Sequence, residues 1–143
     1  MTTVVLDASV IVKWIVPLSD EDHTDEALRL LRRIQENRLQ VLQPPHWLAE
    51  VAAVVSRLQP QQAEEIVALL YALEFPMISE LDLYKRACAL AVELGHHVFD
   101  TLYHAVALAA PESTLITADE HYYRKAAPKG RIILLQDARS LVA

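Results

Sequence analysis

Glycine is nearly missing from this chain, with two in 143 residues. An all-β sandwich depends on many tight turns, so the composition favours helices over that class. Cysteine is scarcer still. Cys88 alone can build neither a disulfide framework nor a cysteine metal site, and it falls among Tyr84, Ala87, Ala91 and Leu94 at helical spacing, which predicts a small core residue. No run approaches the ~20 apolar residues of a spanning helix. The N-terminus has no basic region followed by a long apolar stretch and a small-residue cleavage site, so a soluble cytoplasmic protein with no membrane partner is expected. An excess of positive charge is also missing, since 13 Lys and Arg face 19 Asp and Glu for a net charge of −6. That balance speaks against a nucleic-acid partner unless several acids hold cations. Two divalent ions, adding four charges, would bring it to −2.

What is present is a chain 53% hydrophobic, rich in Ala, Leu and Val, and long enough for one domain, residues 1–143, with a substantial core. Val4 to Leu6 reads as a short strand and Ala8 to Val16 as a buried helix stopped by Pro17, with a polar loop from Leu18 to His23. Asp25 to Arg38 is amphipathic, with Ala27, Leu30, Leu31 and Ile34 on one face. Gln40 to Leu42 is a brief strand before Pro44-Pro45, which opens a helix from His46 to Leu58. Pro60 separates that helix from Gln61 to Glu74, whose apolar set is Ile66, Leu69, Leu70 and Leu73. Phe75 to Ile78 is a third extended piece. Glu80 to Leu94 is a helix that Gly95 terminates. Asp100 opens an Ala-rich helix to Ala110, Ser113 to Thr117 is a second clear strand, Glu120 to Ala126 a helix, and Pro128-Lys129-Gly130 a turn. Ile132 to Leu135 is a last buried strand before a short helical tail. Strands that are short, apolar and alternate with helices predict an α/β fold whose parallel sheet is covered on both faces. There is no internal repeat, low-complexity segment or interdomain linker.

Four carboxylates stand out. Asp7 and Asp119 each follow an apolar strand end, where open α/β sheets keep their sites, and each fits equally as a helix N-cap. Glu50 lies in Trp47-Leu48-Ala49-Glu50-Val51-Ala52-Ala53-Val54-Val55 without a basic partner before Arg57. A lone carboxylate there has few uses unless it faces a cation or a polar cleft, the alternative being a partly exposed Glu on a buried helix. Asp100 before Thr-Leu-Tyr-His-Ala is an ordinary N-cap pattern. Four acids from four elements converge only if their repulsion is offset, which divalent metal does. All-oxygen ligation selects Mg²⁺ or Mn²⁺ rather than zinc, and hydrolysis of a phosphodiester is the chemistry such a site supports.

As an ordered set, Leu6-Asp7-Ala8-Ser9-Val10, Glu50 in its Ala/Val-rich helix, Phe99-Asp100-Thr101-Leu102-Tyr103 with Ala105 and Ala107-Leu108-Ala109, and Leu115-Ile116-Thr117-Ala118-Asp119 resemble the PIN-domain nucleases. The resemblance is closest to the VapC-type toxins of bacterial toxin–antitoxin pairs and covers nearly the whole chain. It implies a three-layer α/β/α sandwich with a central parallel sheet, Mg²⁺- or Mn²⁺-dependent endoribonuclease activity on an RNA substrate, a homodimer, and inhibition by a small cognate antitoxin. It assigns Asp7, Glu50, Asp100 and Asp119 to an acidic quartet, with Asp7 and Asp100 as direct metal ligands, and gives Ser9 and Thr117 the role of orienting hydroxyls. The chain departs from the family pattern at Ala53, where many relatives have Asn, and at Phe99, where Tyr is common. Both departures imply altered hydrogen bonding around the ligands, and neither removes one.

Other features carry competing readings. His104, four residues after Asp100, shares its helix face, but a surface or partly buried structural histidine fits it better than a catalytic one. His96, His97 and His121 have no recognisable metal-ligand spacing. Arg124, Lys125, Lys129 and Arg131 place four basic residues within eight positions, fitting either contact with an RNA backbone or an ordinary cationic helix end. Trp14 and Trp47 read as core or interface anchors. A non-catalytic PIN-fold module that binds an antitoxin or a regulatory complex is the alternative to a nuclease, and Ala53 leaves it open. A receiver-like phosphoacceptor lacks its second acid and its lysine, and a dehalogenase-type phosphatase would need Asp where Ser9 stands.

Overall fold

The computed structural model describes residues 1–16 and 22–142. Pro17 and the beginning of the polar loop expected after it, through position 21, lie outside the described residues. Among the described residues four strands, β1 (Thr2–Leu6), β2 (Leu39–Val41), β3 (Ser113–Thr117) and β4 (Ile132–Leu134), form one all-parallel sheet in the order β2-β1-β3-β4. Successive strand residues point to opposite faces. Val4, Val5 and Leu6 are all fully buried, and so, to within 1%, are Leu115, Ile116 and Thr117. Both faces are therefore covered, and the helices supply the two outer layers of an α/β/α sandwich, as the continuous apolar strands predict.

The helices are α1 (Ala8–Ile15), α2 (Thr24–Gln35), α3 (Trp47–Leu58), α4 (Ala63–Tyr71), α5 (Leu81–Leu94), α6 (Val98–Ala109), α7 (Glu120–Ala126) and α8 (Arg139–Val142). The core is built around α6, where Thr101 to Ala107 are seven consecutive buried residues. It packs on β1 and β3 and along α5. The buried polar side chains at its heart, Thr101, Ser113 and His104, are matched. Thr101 Oγ1 donates to the Ala87 carbonyl at 2.8 Å, and buried Ser113 donates to the carbonyls of Ala107 and Ala110. His104 is fully buried. Its Nε2 donates to the Gly130 carbonyl at 2.8 Å, so its Nδ1 accepts from the Tyr122 hydroxyl at 2.9 Å. Burial lowers its pKa, in keeping with a neutral ring that ties α6 to α7 and to the turn before β4. That is a structural role.

From β1 the chain moves outward to β2, then returns to the other side of β1 to lay down β3 and β4. The order reverses between β1 and β3, and the crevice at their carboxyl ends is where such sheets bind ligands. One device holds that edge. Beyond β2, the buried Gln43 amide accepts from Leu6 N at 2.8 Å and donates to Leu6 O at 2.9 Å, replacing the next rung of the ladder with a side chain.

Several expectations need correction. Cys88 is exposed, because the inward stripe of α5 is Leu83, Ala87 and Leu90, and one residue past Ala87 is ~100° round the helix. Leu69 is 67% exposed, since α4 turns Ala63 and Leu70 inward. Residues 75–78 add no strand to the sheet. They make a single parallel bridge, Gln43 to Met77, in which Gln43 N donates to Pro76 O, and Pro76 has no N–H to extend it. Trp47 is buried as expected, and Trp14 Nε1 donates to the Ala27 carbonyl at 2.8 Å.

Candidate metal centre

Asp7 is the N-cap of α1, in extended conformation directly after β1. Its backbone N–H donates to Ile116 O, so the residue is stitched to β3 before its side chain is considered. Its Oδ2 accepts from Ser9 N at 3.1 Å, Ser9 Oγ at 2.5 Å and Thr117 Oγ1 at 3.4 Å. Its Oδ1 has no hydrogen-bond donor among the described residues. Capping and site geometry are thus compatible, because one oxygen caps and the other remains available. The two hydroxyls are anchored in turn: Ser9 Oγ accepts from Ala118 N at 3.0 Å, and Thr117 Oγ1 from Asp119 N at 3.0 Å.

Glu50 lies in the first turn of α3 with its side chain 27% exposed. The hydroxyl of fully buried Tyr103, on α6, donates to its Oε1 at 3.0 Å. At the N-cap of α3, His46 Nε2 donates to the Phe99 carbonyl at 2.8 Å and sits 3.8 Å from Glu50 Oε2. His46 Nδ1 is buried without a hydrogen-bond partner among the described residues. Burial lowers the pKa of His46, which suits a neutral ring packed against Tyr103. Tyr103 and His46 together clamp the start of α3 onto the start of α6.

Asp100 is not the N-cap of α6. His97 holds that position, in extended conformation, and Asp100 is the third helical residue, with its side chain 17% exposed. Two imidazoles reach Asp100 Oδ2, His96 Nε2 at 2.6 Å and His97 Nε2 at 3.2 Å. Asp119 caps α7, accepting from Tyr122 N at 3.1 Å.

One carboxylate oxygen from each of Asp7, Glu50 and Asp100 falls within 4.8 Å of the others. Asp119 lies outside that tight group but lines a cleft of about 740 Å³ with Asp100, His96, His97 and His121. Asp7 and Glu50 line an adjoining cleft of about 420 Å³ with Ser9 and Lys13. The charges are costly as they stand. Burial, with repulsion from Asp100 and Asp119, pushes the Asp7 carboxyl up to about 6 against the pull of Ser9. Burial and then repulsion from Asp7 push Glu50 up to about 7. Partly buried, closely spaced carboxylate oxygens drawn from three elements are the donor set that fits a hard divalent cation, which would favour the ionised forms of Asp7 and Glu50 at neutral pH.

The basic residues downstream are mostly committed to the protein. Lys125 Nζ donates to Gly95 O at 3.1 Å and lies 3.3 Å from His96 Nδ1. Lys129 pairs with Glu93. Arg131 donates to the carbonyls of Ala107 and Ala110 near the end of α6. Arg124 is exposed and makes no ion pair with the described residues. Ala53 is exposed on α3, and the Phe99 ring is 56% exposed, so the Phe99 contribution here is its carbonyl.

Sequence reasoning missed Tyr103, His46, and the contacts of His96 and His97 with Asp100. The signal was present in part: His46 and Glu50 are four apart, and Asp100 and Tyr103 three apart, on predicted helices, which puts each pair on one face.

No curated protein matches the chain significantly in sequence. Among solved structures, the fold is similar to a chain in the crystal structure of VapBC2 from Rickettsia felis bound to a DNA fragment from their promoter, with a TM-score of 0.63 at 17% identity, covering 93% of this chain and 98% of that one. The PIN domain family matches residues 4–128, which span the three converging carboxylates as well as Asp119. The chain belongs to the PIN-domain family.

Proposed function

We propose that the chain is a Mg²⁺- or Mn²⁺-dependent endoribonuclease of the VapC type, hydrolysing RNA phosphodiester bonds in the cytoplasm as the toxin of a toxin–antitoxin pair. The observation that carries this reading is the convergence of Asp7, Glu50 and Asp100, from three separate elements, to within 4.8 Å at the switch point of a PIN fold. These three would hold the cation, with Asp119 as the fourth acid in the adjoining cleft that Asp100 also lines. The cation, when bound, supplies Lewis-acid stabilisation of phosphate charge and lowers the pKa of water. The protein groups do the positioning. Ser9 and Thr117 hold Asp7 Oδ2 and leave Oδ1 without a donor. Tyr103 fixes Glu50, and His46 fixes the distance between α3 and α6.

Arg124 is the best placed of the four basic residues for an RNA backbone, because Lys125, Lys129 and Arg131 already serve protein groups. A macromolecular partner is supported by Leu69 and Tyr71, which stand 67% and 72% exposed on α4, Tyr71 lining a cleft with Ser56 of α3. We assign such surfaces to a cognate antitoxin and to a second copy in a homodimer. The similar VapBC2 chain belongs to a complex crystallised with promoter DNA.

The test is to map cleavage ends in total cellular RNA after expression of the wild-type chain beside Asp7→Asn. Discrete new ends with the wild type only are expected. The same ends from a folded Asp7→Asn protein, or none from either, would contradict the proposal.

A further inference from the structure

The two imidazoles on Asp100 Oδ2 are not equivalent. Gly95, with φ of 61°, ends α5 and turns His96 and His97 onto the first turn of α6, where their rings lie 4.6 Å apart at 31°. The His96 side chain is 8% exposed, and its Nδ1 faces Lys125 Nζ at 3.3 Å. An ammonium group only donates, so Nδ1 accepts and the ring proton sits on Nε2, aimed at Asp100 from 2.6 Å. A metal on His96 Nε2 would move that proton to Nδ1, against the ammonium. His96 is therefore locked as a donor.

His97 has the opposite circumstances. Its side chain is 61% exposed and its Nδ1 has no partner among the described residues, so the ring is free to carry its proton there and present the Nε2 lone pair. Its Nε2 is 3.2 Å from Asp100 Oδ2. That is the edge expected between two ligands each about 2.1 Å from one ion and roughly 100° apart. The 2.6 Å of His96 is too short for such an edge and suits a charge-assisted hydrogen bond.

We propose that His97 Nε2 and Asp100 Oδ2 are ligands to a cation on the histidine side of Asp100, where His96, His97 and Asp100 form a group apart from that of Asp7, Glu50 and Asp100, with His96 as a positioning residue for the carboxylate, so that this position favours Mn²⁺ and later first-row ions over Mg²⁺. The inference rests on Asp100 being a cation ligand, as in the function proposed above. Imidazole suits transition ions, whereas Mg²⁺ prefers oxygen, and this difference converts a single side chain into metal selectivity.

The test uses the full chain, with Mn²⁺ and Mg²⁺ binding followed by calorimetry and the Mn²⁺ complex examined by pulsed EPR for ¹⁴N coupling. The wild type is expected to show ¹⁴N coupling. His97→Gln should lose it and bind Mn²⁺ about tenfold more weakly, with Mg²⁺ affinity changed by less than about twofold. His96→Gln should retain the coupling while weakening both ions alike, and His23→Gln, which lines neither cleft, should change neither. Mn²⁺ bound without ¹⁴N coupling, or coupling that survives His97→Gln, overturns the His97 assignment while leaving an all-oxygen centre standing. If neither ion binds the folded wild type, the inference and the metal centre fall together. Because His97 is exposed at a helix start, the variant's melting temperature serves as a check on folding.

Discussion

Replacing Asp7 with Asn should stabilise the metal-free protein while destroying its cation site. In the fold, burial first and then repulsion from Asp100 and Asp119 raise the Asp7 carboxyl from 3.8 to about 6. The folded state thus binds the proton more tightly than the unfolded one, so stability falls as pH rises. The penalty is absent below the unfolded value near 3.8, grows through the folded value near 6, and is complete by about pH 8, where it reaches about 3 kcal/mol. Asn keeps an acceptor for Ser9 but loses the charge-assisted part of those bonds, so the net gain at pH 8 in EDTA is about 2 kcal/mol. For a domain of this size that is a rise in Tm of roughly 6 °C, shrinking towards zero at pH 4. Saturating Mg²⁺ should reverse the order, since an ion at a hundred times its Kd stabilises the wild type by ~2.7 kcal/mol and the variant hardly at all. Urea and thermal melts of both proteins from pH 4 to 8, with EDTA and with Mg²⁺, measure all of this. An Asp7→Asn protein less stable than wild type at pH 8 in EDTA, or a difference independent of pH, would refute the reasoning.

Three further outcomes follow from named contacts. Gln43→Ala leaves the buried N–H and C=O of Leu6 without partners and should cost about 3 kcal/mol in urea unfolding, with weaker cation binding because Asp7 is the next residue. Tyr103→Phe removes the donor that lowers the Glu50 carboxyl, so the Glu50 pKa, followed by NMR titration, should rise above about 7, with a stability loss of about 1 kcal/mol. Arg124→Ala should weaken RNA binding and reduce its salt dependence by about one charge, whereas Lys129→Ala, whose partner is the exposed Glu93, should change neither appreciably.

Much of the site was legible because its residues break local rules. Glu50 stood alone in an apolar helix, and the structure gives it a tyrosine hydroxyl and two carboxylate neighbours. Asp7 and Asp119 followed apolar strands, and both cap the helix that follows, Asp7 through one carboxylate oxygen only. Asp100 looked like a cap and is not one, because the helix begins three residues earlier than a cap at Asp100 would set, and His97 takes that place. His96 and His97 were passed over because no spacing among histidines suggested a metal; the relevant spacing is to Asp100, four and three residues on. Gln43 was invisible, since its partner Leu6 lies 37 residues away and nothing local marks a buried amide as part of a ladder. Cys88 shows the limit of helical phase reading, where an error of one position turns a core residue into a solvent-facing one.

The most direct measurement of the central claim is RNA cleavage by purified protein with Mg²⁺ or Mn²⁺, comparing wild type, Asp7→Asn and Glu50→Gln, all shown to be folded by circular dichroism. Cleavage by the wild type that EDTA abolishes and added ion restores is expected, with both variants reduced by at least about a hundredfold. Cleavage undiminished in EDTA, or wild-type rates from either variant, would contradict the claim.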